Sequence, residues 1–376
     1  MSANVPYLTS ARPPLAEGFA KKIRILVIDD SVVMRQLITR MLTSEPTIEV
    51  VGTARDGRDA LNKIPLLCPD LVTLDVEMPE LDGIATLREI KLIAPAVHVI
   101  MCSSLTARGA GITLDALLAG ADDYVTKQHS GEMGASAYDA LRGDLLTKIQ
   151  QLFKVKPASS TRRLAPTPSQ VAVIAPVVST IPRRSLVKPE ILVIGVSTGG
   201  PSALAEIMPM FPADFPLPIA IVQHMPPFFT HLLAERLAKL GKLSVVEATH
   251  GMPVSPRLVL IAPGNYHMRL VGKVGQPVVV HLDQEPQENS CRPAVDVLFR
   301  SAAEVYRGAV ISVVLTGMGQ DGLLGVRALK AHSAAVIVQD AATSVVWGMP
   351  RAVADAQLAD SILPLRDIVP AILRSL

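Results

Sequence analysis

Acidic side chains stand at the ends of two apolar runs near the start of the chain. Asp29 and Asp30 follow the run Ile23–Ile28, and Asp75 ends a second run that begins at Leu71. If both runs are parallel strands, their carboxyl ends lie on one edge of a sheet and the three carboxylates meet there. Carboxylates that converge repel one another, and a divalent cation removes that conflict. Oxygen-only ligands suit Mg²⁺, which keeps room for a phosphoryl oxygen.

Two later strand ends bring a hydroxyl and a cation to the same edge. Ser103 and Lys127 lie at the ends of β-rich runs, and Tyr124 lies within the second of these runs. A nucleophilic carboxylate, a metal ion and a lysine are the groups needed to place a phosphoryl group on Asp75. An acidic pair alone is more often a helix cap in a solvated turn. Functional groups on successive strand ends favour phosphoryl transfer.

A second set of residues has the types found in a serine hydrolase. The segment Gly195–Pro201 follows an apolar run and precedes a helical one. Its glycines allow a sharp turn and leave backbone N–H groups facing the space above Ser197. The helix N-terminus adds a partial positive charge that favours an oxyanion. The segment lacks the Lys-Ser/Thr of a phosphate loop and does not fit GxGxxG, although a plain strand-to-helix turn would look the same in isolation.

Strand placement selects the histidine and the acid that accompany this serine. The literal GxSxG motif admits an α/β-hydrolase order, in which Asp296 and His332 would complete the triad. His332 precedes its nearest strand, at the amino edge, whereas His224 and Asp321 follow strands and lie at the carboxyl edge. Triads are recognised by role rather than by chain order. We therefore expect Ser197 as nucleophile, His224 as base and Asp321 as the acid that orients the base.

Backbone N–H groups near this serine are the expected oxyanion donors. Met318 and Thr198 lie close to strand ends on the same edge, and one such donor contributes roughly 3–4 kcal/mol in comparable sites. His267 is a further candidate for lining the cleft, although a surface or core imidazole is at least as good an interpretation. The same plain interpretation holds for the other histidines.

Alternating β-rich and helical runs predict two α/β domains. The predicted boundaries are a flexible tail at 1–20, a first domain at 21–153, a linker at 154–189 and a second domain at 190–376. The linker is predicted because residues 155–189 hold six prolines, six Lys or Arg and no acidic residue. The predicted strands are Ile23–Ile28, Glu49–Ala54, Leu71–Asp75, Val97–Cys102, Asp123–Thr126, Ile191–Val196, Pro218–Gln223, Leu258–Ala262, Gln276–His281, Ala309–Thr316 and Ala335–Gln339.

Composition excludes several classes of protein. A chain of 376 residues is long enough for two domains, and a net charge of +2 argues against a strongly basic nucleic-acid binder. No apolar run approaches the ~18 residues of a membrane span, and no signal peptide is recognisable, so we expect a cytoplasmic protein. Cys68, Cys102 and Cys291 are far apart and odd in number, which argues against a disulfide framework and favours small buried side chains.

Residues 22–128 resemble the receiver domain of two-component response regulators. Met78-Pro79 and Asp82-Gly83 match the loop after the phospho-acceptor, and Gln128 stands where receivers usually have proline. The matching functional positions are Asp75 (phospho-acceptor), Asp29 and Asp30 (metal pair, with Asp75), Ser103 (switch hydroxyl), Tyr124 (switch aromatic) and Lys127 (the receiver lysine). The resemblance implies a flavodoxin-like fold, phosphorylation in the presence of Mg²⁺ and a histidine kinase as phosphodonor.

Residues 190–376 resemble the catalytic domain of chemotaxis protein-glutamate methylesterases. The matching segments are Gly195–Pro201, Gln223-His224-Met225, Ala262-Pro263-Gly264, Leu315–Gly322 and Gly348-Met349-Pro350. Ser197, His224 and Asp321 fall on the family's triad, and Met318 falls on a proposed oxyanion donor. The resemblance implies a Rossmann-like three-layer α/β domain that needs no cofactor for ester hydrolysis.

The two resemblances together imply a hydrolase activated by phosphorylation. Its substrates would be glutamate γ-methyl esters on the cytoplasmic helices of chemoreceptors, with methanol as the product, and family members often also deamidate receptor glutamines. Two other classes of protein compete with this interpretation: a catalytically silent binding module gated by the receiver, and a transcriptional regulator. The near-neutral charge and the lack of a basic recognition helix argue against the transcriptional regulator.

Overall fold

The computed structural model describes residues 22–104, 107–127, 135–154, 188–272 and 276–376. The predicted N-terminal tail, most of the predicted linker and Gln128 lie outside the described residues. Among the described helices, none combines the length and the apolar composition that crossing a bilayer requires.

The first part of the chain folds around a five-stranded parallel sheet. Its strands are β1 (Ile23–Ile28), β2 (Ile48–Ala54), β3 (Leu71–Asp75), β4 (His98–Ser104) and β5 (Asp123–Lys127). Its helices are α1 (Val32–Thr43), α2 (Gly57–Leu67), α3 (Gly83–Ile93), α4 (Ala107–Leu118) and α5 (Ala135–Lys154). Hydrogen bonding orders the strands β2-β1-β3-β4-β5, which is the flavodoxin-like order. Every strand predicted here is present, with small differences at the ends.

The second part folds around a seven-stranded sheet in which all strands are parallel. Its strands are β6 (Ile191–Val196), β7 (Ile219–Gln223), β8 (Ser244–Glu247), β9 (Leu258–Ile261), β12 (Val310–Val314), β13 (Ala335–Gln339) and β14 (Ser361–Leu363). Its helices are α6 (Gly200–Ile207), α7 (Phe229–Leu240), α8 (Val295–Tyr306), α9 (Leu323–Ala331), α10 (Met349–Asp355) and α11 (Leu365–Arg374). The strand order is β14-β13-β12-β6-β7-β9-β8. Strands β6 and β7 are buried along their whole length, as central strands of a parallel sheet are.

One predicted strand of this domain lies outside the seven-stranded sheet. The predicted strand Gln276–His281 overlaps β11 (Val279–Asp283), which pairs antiparallel with β10 (His267–Val271) and forms a separate hairpin. The short connection between β10 and β11 explains this, because a parallel pairing would need a crossover of a dozen or more residues. The two edge strands β8 and β14 were not predicted, since each is only three or four residues long.

The expectation that all three cysteines are buried was also wrong. Cys102 is buried in β4, but Cys68 is exposed and Cys291 is half-buried. Cys68 is the residue that ends α2, where it adopts a left-handed conformation. A helix end lies at the surface, and the apolar character of a thiol does not override that position.

In each sheet, the strands that follow the first strand along the chain lie on both sides of it. In the first sheet, β1 lies between β2 and β3, and in the second, β6 lies between β12 and β7. Clefts in open α/β sheets form at such switch points, outside the carboxyl ends of the strands. Asp29 and Asp75 therefore lie at one switch point, and Ser197 lies at the other.

Candidate active site

Three carboxylates meet at the switch point of the first sheet. Asp29, Asp30 and Asp75 each place an oxygen within 4.8 Å of the others. The ammonium of Lys127 lies 2.6 Å from Asp29 Oδ2 and 2.7 Å from Asp75 Oδ1. Burial, together with the charge of Asp29, raises the pKa of Asp75 to about 6 despite the opposing effect of Lys127. An oxygen-only cluster that holds an excess of negative charge fits a hard divalent cation.

Of the two predicted switch residues, Ser103 is enclosed within its own domain, whereas Tyr124 contacts the second domain. Ser103 is fully buried and accepts a hydrogen bond of 2.5 Å from the Thr113 hydroxyl of α4. Tyr124 stacks on Phe229 of the second domain, with ring centroids 4.9 Å apart and planes 16° from parallel. The ammonium of Lys148 lies 4.9 Å from the centre of the Tyr124 ring. The predicted switch aromatic is therefore part of the contact between the domains.

The turn after β6 holds Ser197 in a fixed position. The backbone N–H of Ser197 donates to the Thr316 carbonyl at 3.0 Å, and Gln223 Nε2 donates to the Ser197 carbonyl at 2.9 Å. Gly199 has φ +75°, and a Cβ at this residue would lie 2.6 Å from the side chain of Val345. Only glycine satisfies both the left-handed backbone and that close approach, so the turn depends on the glycine that the sequence places there.

The half-buried His224 and the buried Asp321 form a pair beside this turn. His224 Nε2 lies 2.8 Å from Asp321 Oδ2. Although burial raises the pKa of Asp321, its contact with His224 and bonds from backbone N–H groups hold the pKa below its usual value. The N–H groups of Val295 and Asp296, in the first turn of α8, donate to Asp321 at 2.7 and 2.9 Å. A helix N-terminus thus keeps this carboxylate ionised.

Asn289 and Cys291 extend the pair in ways that sequence reasoning missed. Asn289 Nδ2 donates at 3.0 Å to both Asp321 Oδ1 and Asp296 Oδ2, and so bridges two buried carboxylates. The side chain of Cys291 lies close enough to His224 to help raise the pKa of the imidazole. Candidates were selected in the sequence only by their position at a strand end. Neither Asn289 nor Cys291 stands at a strand end, because both lie in the loop before α8.

The protonation of His224 is controlled by its two partners. Burial lowers the pKa of His224, but the hydrogen bonds and charges of Asp321 and Cys291 outweigh burial and raise it above its usual value of 6.5. A histidine base must be neutral before it can accept a proton. We expect the rate of ester hydrolysis by the phosphorylated chain to rise with pH well above pH 6.5.

Replacing Cys291 tests its contribution to the raised pKa of His224 separately from that of Asp321. Cys291→Ala removes one of the groups that raise the pKa of His224, so the rising limb of kcat/KM should move to lower pH while Asp321 still holds the ring. The profile is measured from pH 5 to 10 on a small glutamate methyl ester. A limb that stays in place, or moves to higher pH, would contradict this role for Cys291.

The predicted esterase residues line one cavity of about 180 Å³. Ser197, Thr198, His224 and Met318 all contribute to its wall, and Asp321 lies behind His224. The remaining wall residues of the second domain are Gly199, Pro201, Gln223 and Met225, and those of the first domain are Leu117, Asp122, Asp123, Tyr124 and Lys148. The first domain therefore forms one side of the cavity.

A hydrogen bond, an ion pair and helix packing hold the first domain against this cavity. Thr198 Oγ1 donates to Asp123 Oδ2 at 2.7 Å, beside the serine. Arg236 of α7 forms a two-bond ion pair with Asp115 of α4, at 2.7 and 3.2 Å. Helix α4 packs against both α6 and α7. These contacts place described residues of the first domain on the side of the cavity next to Ser197.

The alternative triad residues lie elsewhere. His332 ends α9, before β13, at the amino edge of the sheet. Asp296 receives bonds from Asn289 and from the Gly325 N–H, and it lies beside Asp321 rather than beside a histidine. His267 is only 1% exposed; its Nε2 contacts the Pro286 carbonyl and its Nδ1 accepts from the Ala294 N–H. His267 is thus a core residue and does not line the cavity.

Comparisons with known proteins match both halves of the chain. Residues 192–372 match the family model for CheB methylesterase, and residues 25–137 match the response regulator receiver domain. A protein-glutamate methylesterase/protein-glutamine glutaminase of Trichodesmium erythraeum is 48% identical over 94% of this chain and 99% of that protein. A relative of the same description from Nocardioides is 48% identical over 94% of this chain and 95% of that protein. The crystal structure of the Thermotoga maritima CheB methylesterase catalytic domain is 44% identical, with a TM-score of 0.49, over 50% of this chain and all of that domain.

Proposed function

Because this chain belongs to the CheB family of response-regulator methylesterases, we propose that it removes methyl groups from glutamate γ-methyl esters of methyl-accepting chemoreceptors. The products are methanol and a free glutamate. One observation supports the assignment to particular residues: His224, which contacts Asp321 at 2.8 Å, lines the same cavity as Ser197. We assign the catalytic domain to residues 190–376, the receiver domain to 21–153, the linker to 154–189 and the tail to 1–20.

We assign nucleophilic attack to Ser197. His224 takes the hydroxyl proton as Ser197 Oγ attacks the ester carbonyl, and Asp321 stabilises the imidazolium that results. Because Asp321 contacts Nε2, the nitrogen that serves Ser197 is Nδ1. The C–O bond to the methoxy group then breaks, and His224 returns the proton to methoxide, which leaves as methanol. The glutamyl group stays on Ser197 as an ester.

Water completes the reaction at the same site. His224 removes a proton from water, whose oxygen attacks the acyl carbonyl, and Ser197 leaves with that proton. The N–H groups of Met318 and Thr198, which belong to residues of the cavity wall, are the proposed donors to the oxyanion in both steps. A glutamine amide passes through the same acyl intermediate with ammonia as the leaving group, so we also propose deamidation of receptor glutamines, as the names of the relatives indicate for those proteins.

We propose Asp75 as the phosphorylation site. A histidine kinase is the phosphodonor that a receiver domain implies. The carboxylates of Asp29, Asp30 and Asp75 would hold Mg²⁺, which balances the charge of the phosphoryl oxygens. Lys127 already contacts Asp29 and Asp75 and would bind a phosphoryl oxygen, while Ser103 lies at the neighbouring strand end.

Phosphorylation would act on the esterase through Tyr124. Ser103 and Tyr124 are the residues expected to move when Asp75 carries a phosphoryl group, and Tyr124 stacks on Phe229. Moving the ring weakens that stack and the neighbouring Thr198–Asp123 bond. A differential docking free energy of only about 1.4 kcal/mol between the two states gives tenfold activation.

Mass spectrometry of receptor fragments tests the proposed function. A cytoplasmic receptor fragment carrying glutamate methyl esters is incubated with the chain, with Mg²⁺ and a small phosphodonor present or absent. We expect loss of methyl groups, faster when the phosphodonor is present, and conversion of some glutamines to glutamates. A fragment whose methylation is unchanged by the phosphorylated chain would contradict the proposal.

A further inference from the structure

An exposed aromatic side chain projects from the loop that carries His224. After His224 and the buried Met225, the residues Pro226, Pro227 and Phe228 are all exposed, and Phe228 is 74% exposed. Phe229, the next residue, is buried against Tyr124. Phe228 is thus at the border of the surface that the receiver covers, and it stays uncovered in the closed arrangement of the domains.

The backbone at Phe228 is strained. Its φ is +71° and its ψ is −42°, a combination that side chains with a Cβ rarely adopt. Left-handed conformations at bulky residues persist only where the surrounding structure holds them, and they concentrate at functional sites. Here the surroundings are rigid, because two prolines precede Phe228 and Gly264 of the neighbouring loop packs directly on their backbone. The unusual backbone conformation at Phe228 places its apolar ring in solvent. An ordinary turn would not hold the ring in this position.

A second aromatic side chain lies on that neighbouring loop. Tyr266 is 40% exposed and follows β9, which pairs directly with β7, the strand that leads into His224. We call Phe228 and Tyr266 together the aromatic rim. Both lie beyond the carboxyl ends of adjacent strands, on the same edge of the sheet as the catalytic cavity. Exposed aromatic side chains on the loops beside a site are available to contact a molecule that binds there.

The cavity itself is too small to bind a protein. Its volume of about 180 Å³ is below the roughly 300–1,000 Å³ of pockets that enclose drug-sized ligands. The first domain forms one wall of this volume, so a protein substrate binds only after that wall has moved, with the esterified side chain at Ser197 and the rest against the loops around the cavity. Aromatic side chains are enriched among the interface residues that contribute most to binding.

From these observations we propose that the aromatic rim is a docking contact for the receptor, with Phe228 packing against an apolar side chain in the segment that flanks the esterified glutamate. This inference rests on the proposed function and deepens it, because it names residues that select a protein substrate over a small ester. The rim adjoins the surface occupied by the receiver, so substrate docking and receiver docking share the border at Phe228 and Phe229.

The test compares two substrates of the phosphorylated full chain. One is a methylated receptor fragment, and the other is N-acetylglutamate γ-methyl ester, which is too small to reach the rim. Phe228→Gly is the main variant, because glycine accepts the positive φ and so preserves the fold. We expect its KM for the receptor fragment to rise about tenfold with kcat retained, and its kcat/KM for the small ester to match wild type.

Further variants distinguish docking at the rim from a general loss of apolar surface. Phe228→Tyr should keep the wild-type KM for the receptor fragment, Tyr266→Ala should raise it, and Leu92→Ala, which removes an equally exposed apolar side chain from α3, should leave it unchanged. An unchanged KM for the receptor fragment in Phe228→Gly overturns the proposal. So does an equal loss on the small ester, because Phe228 would then act on the catalytic groups. If instead Ser197→Ala keeps its activity, the proposed function fails and not the rim.

Discussion

Replacing Ser197 with alanine is expected to lower the rate of receptor demethylation by at least about 10³-fold. The substitution removes the oxygen that forms the acyl intermediate, while the oxyanion donors and the substrate surface remain. Folding should be unaffected, because the backbone bonds of Ser197 with Thr316 and Gln223 do not involve its side chain. The measurement is methanol release from a methylated receptor fragment by the phosphorylated full chain.

Cys291 provides the matched comparison for this variant. Its side chain helps raise the pKa of His224, and a cysteine beside a histidine is the other pair of groups that forms a covalent acyl intermediate. The turn after β6, its helix N-terminus and the proposed oxyanion donors surround Ser197 and favour the serine. Cys291→Ala should therefore keep its rate within about tenfold of wild type. If Cys291→Ala is inactive and Ser197→Ala is active, the two roles are reversed.

Separating the receiver from the esterase is expected to have the second-largest effect. A fragment that begins at Lys188 lacks the receiver wall of the cavity and the Thr198–Asp123 bond. It should hydrolyse receptor esters at least about tenfold faster than the unphosphorylated full chain, because a docking free energy of ~1.4 kcal/mol is enough for that ratio. The fragment should not respond to a phosphodonor. If the fragment is no faster than the unphosphorylated full chain, the receiver does not block the site.

Point variants test the same contact in the full chain. Arg236→Ala removes the ion pair with Asp115 across the domains and should raise the rate without phosphodonor. Arg366→Ala is the matched control, because it removes an ion pair with Glu206 that lies within the esterase domain. Asp75→Asn should hold the full chain at the low rate even with Mg²⁺ and phosphodonor. Activation of Asp75→Asn by the phosphodonor would contradict the assignment of Asp75.

The strand ends explain why much of both sites was predictable from the sequence. Parallel strands place their carboxyl ends on one edge, so the order of the strands alone predicts that Asp29, Asp75 and Lys127 meet. The same rule selected His224 and Asp321 over His332. These inferences needed only the order of apolar runs and the residues that follow them.

Other features depend on tertiary packing that no local pattern records. Asn289 and Cys291 lie in an irregular loop, and only the packing of that loop before α8 brings them to Asp321 and His224. The contact between Asp123 and Thr198 joins residues 75 positions apart in separate domains. The hairpin of β10 and β11 was not predicted, because a β-rich run does not reveal its pairing partner.

The location of the covalent intermediate tests the central claim most directly. The phosphorylated full chain is mixed with a methylated peptide, quenched with acid during turnover and digested, and the acylated peptide is identified by mass spectrometry. We predict a glutamyl ester on the peptide that contains Ser197, absent in Ser197→Ala. An acyl group on Cys291 would contradict the account. So would full turnover in which oxygen from labelled water enters the product but no acyl-enzyme is found at any residue.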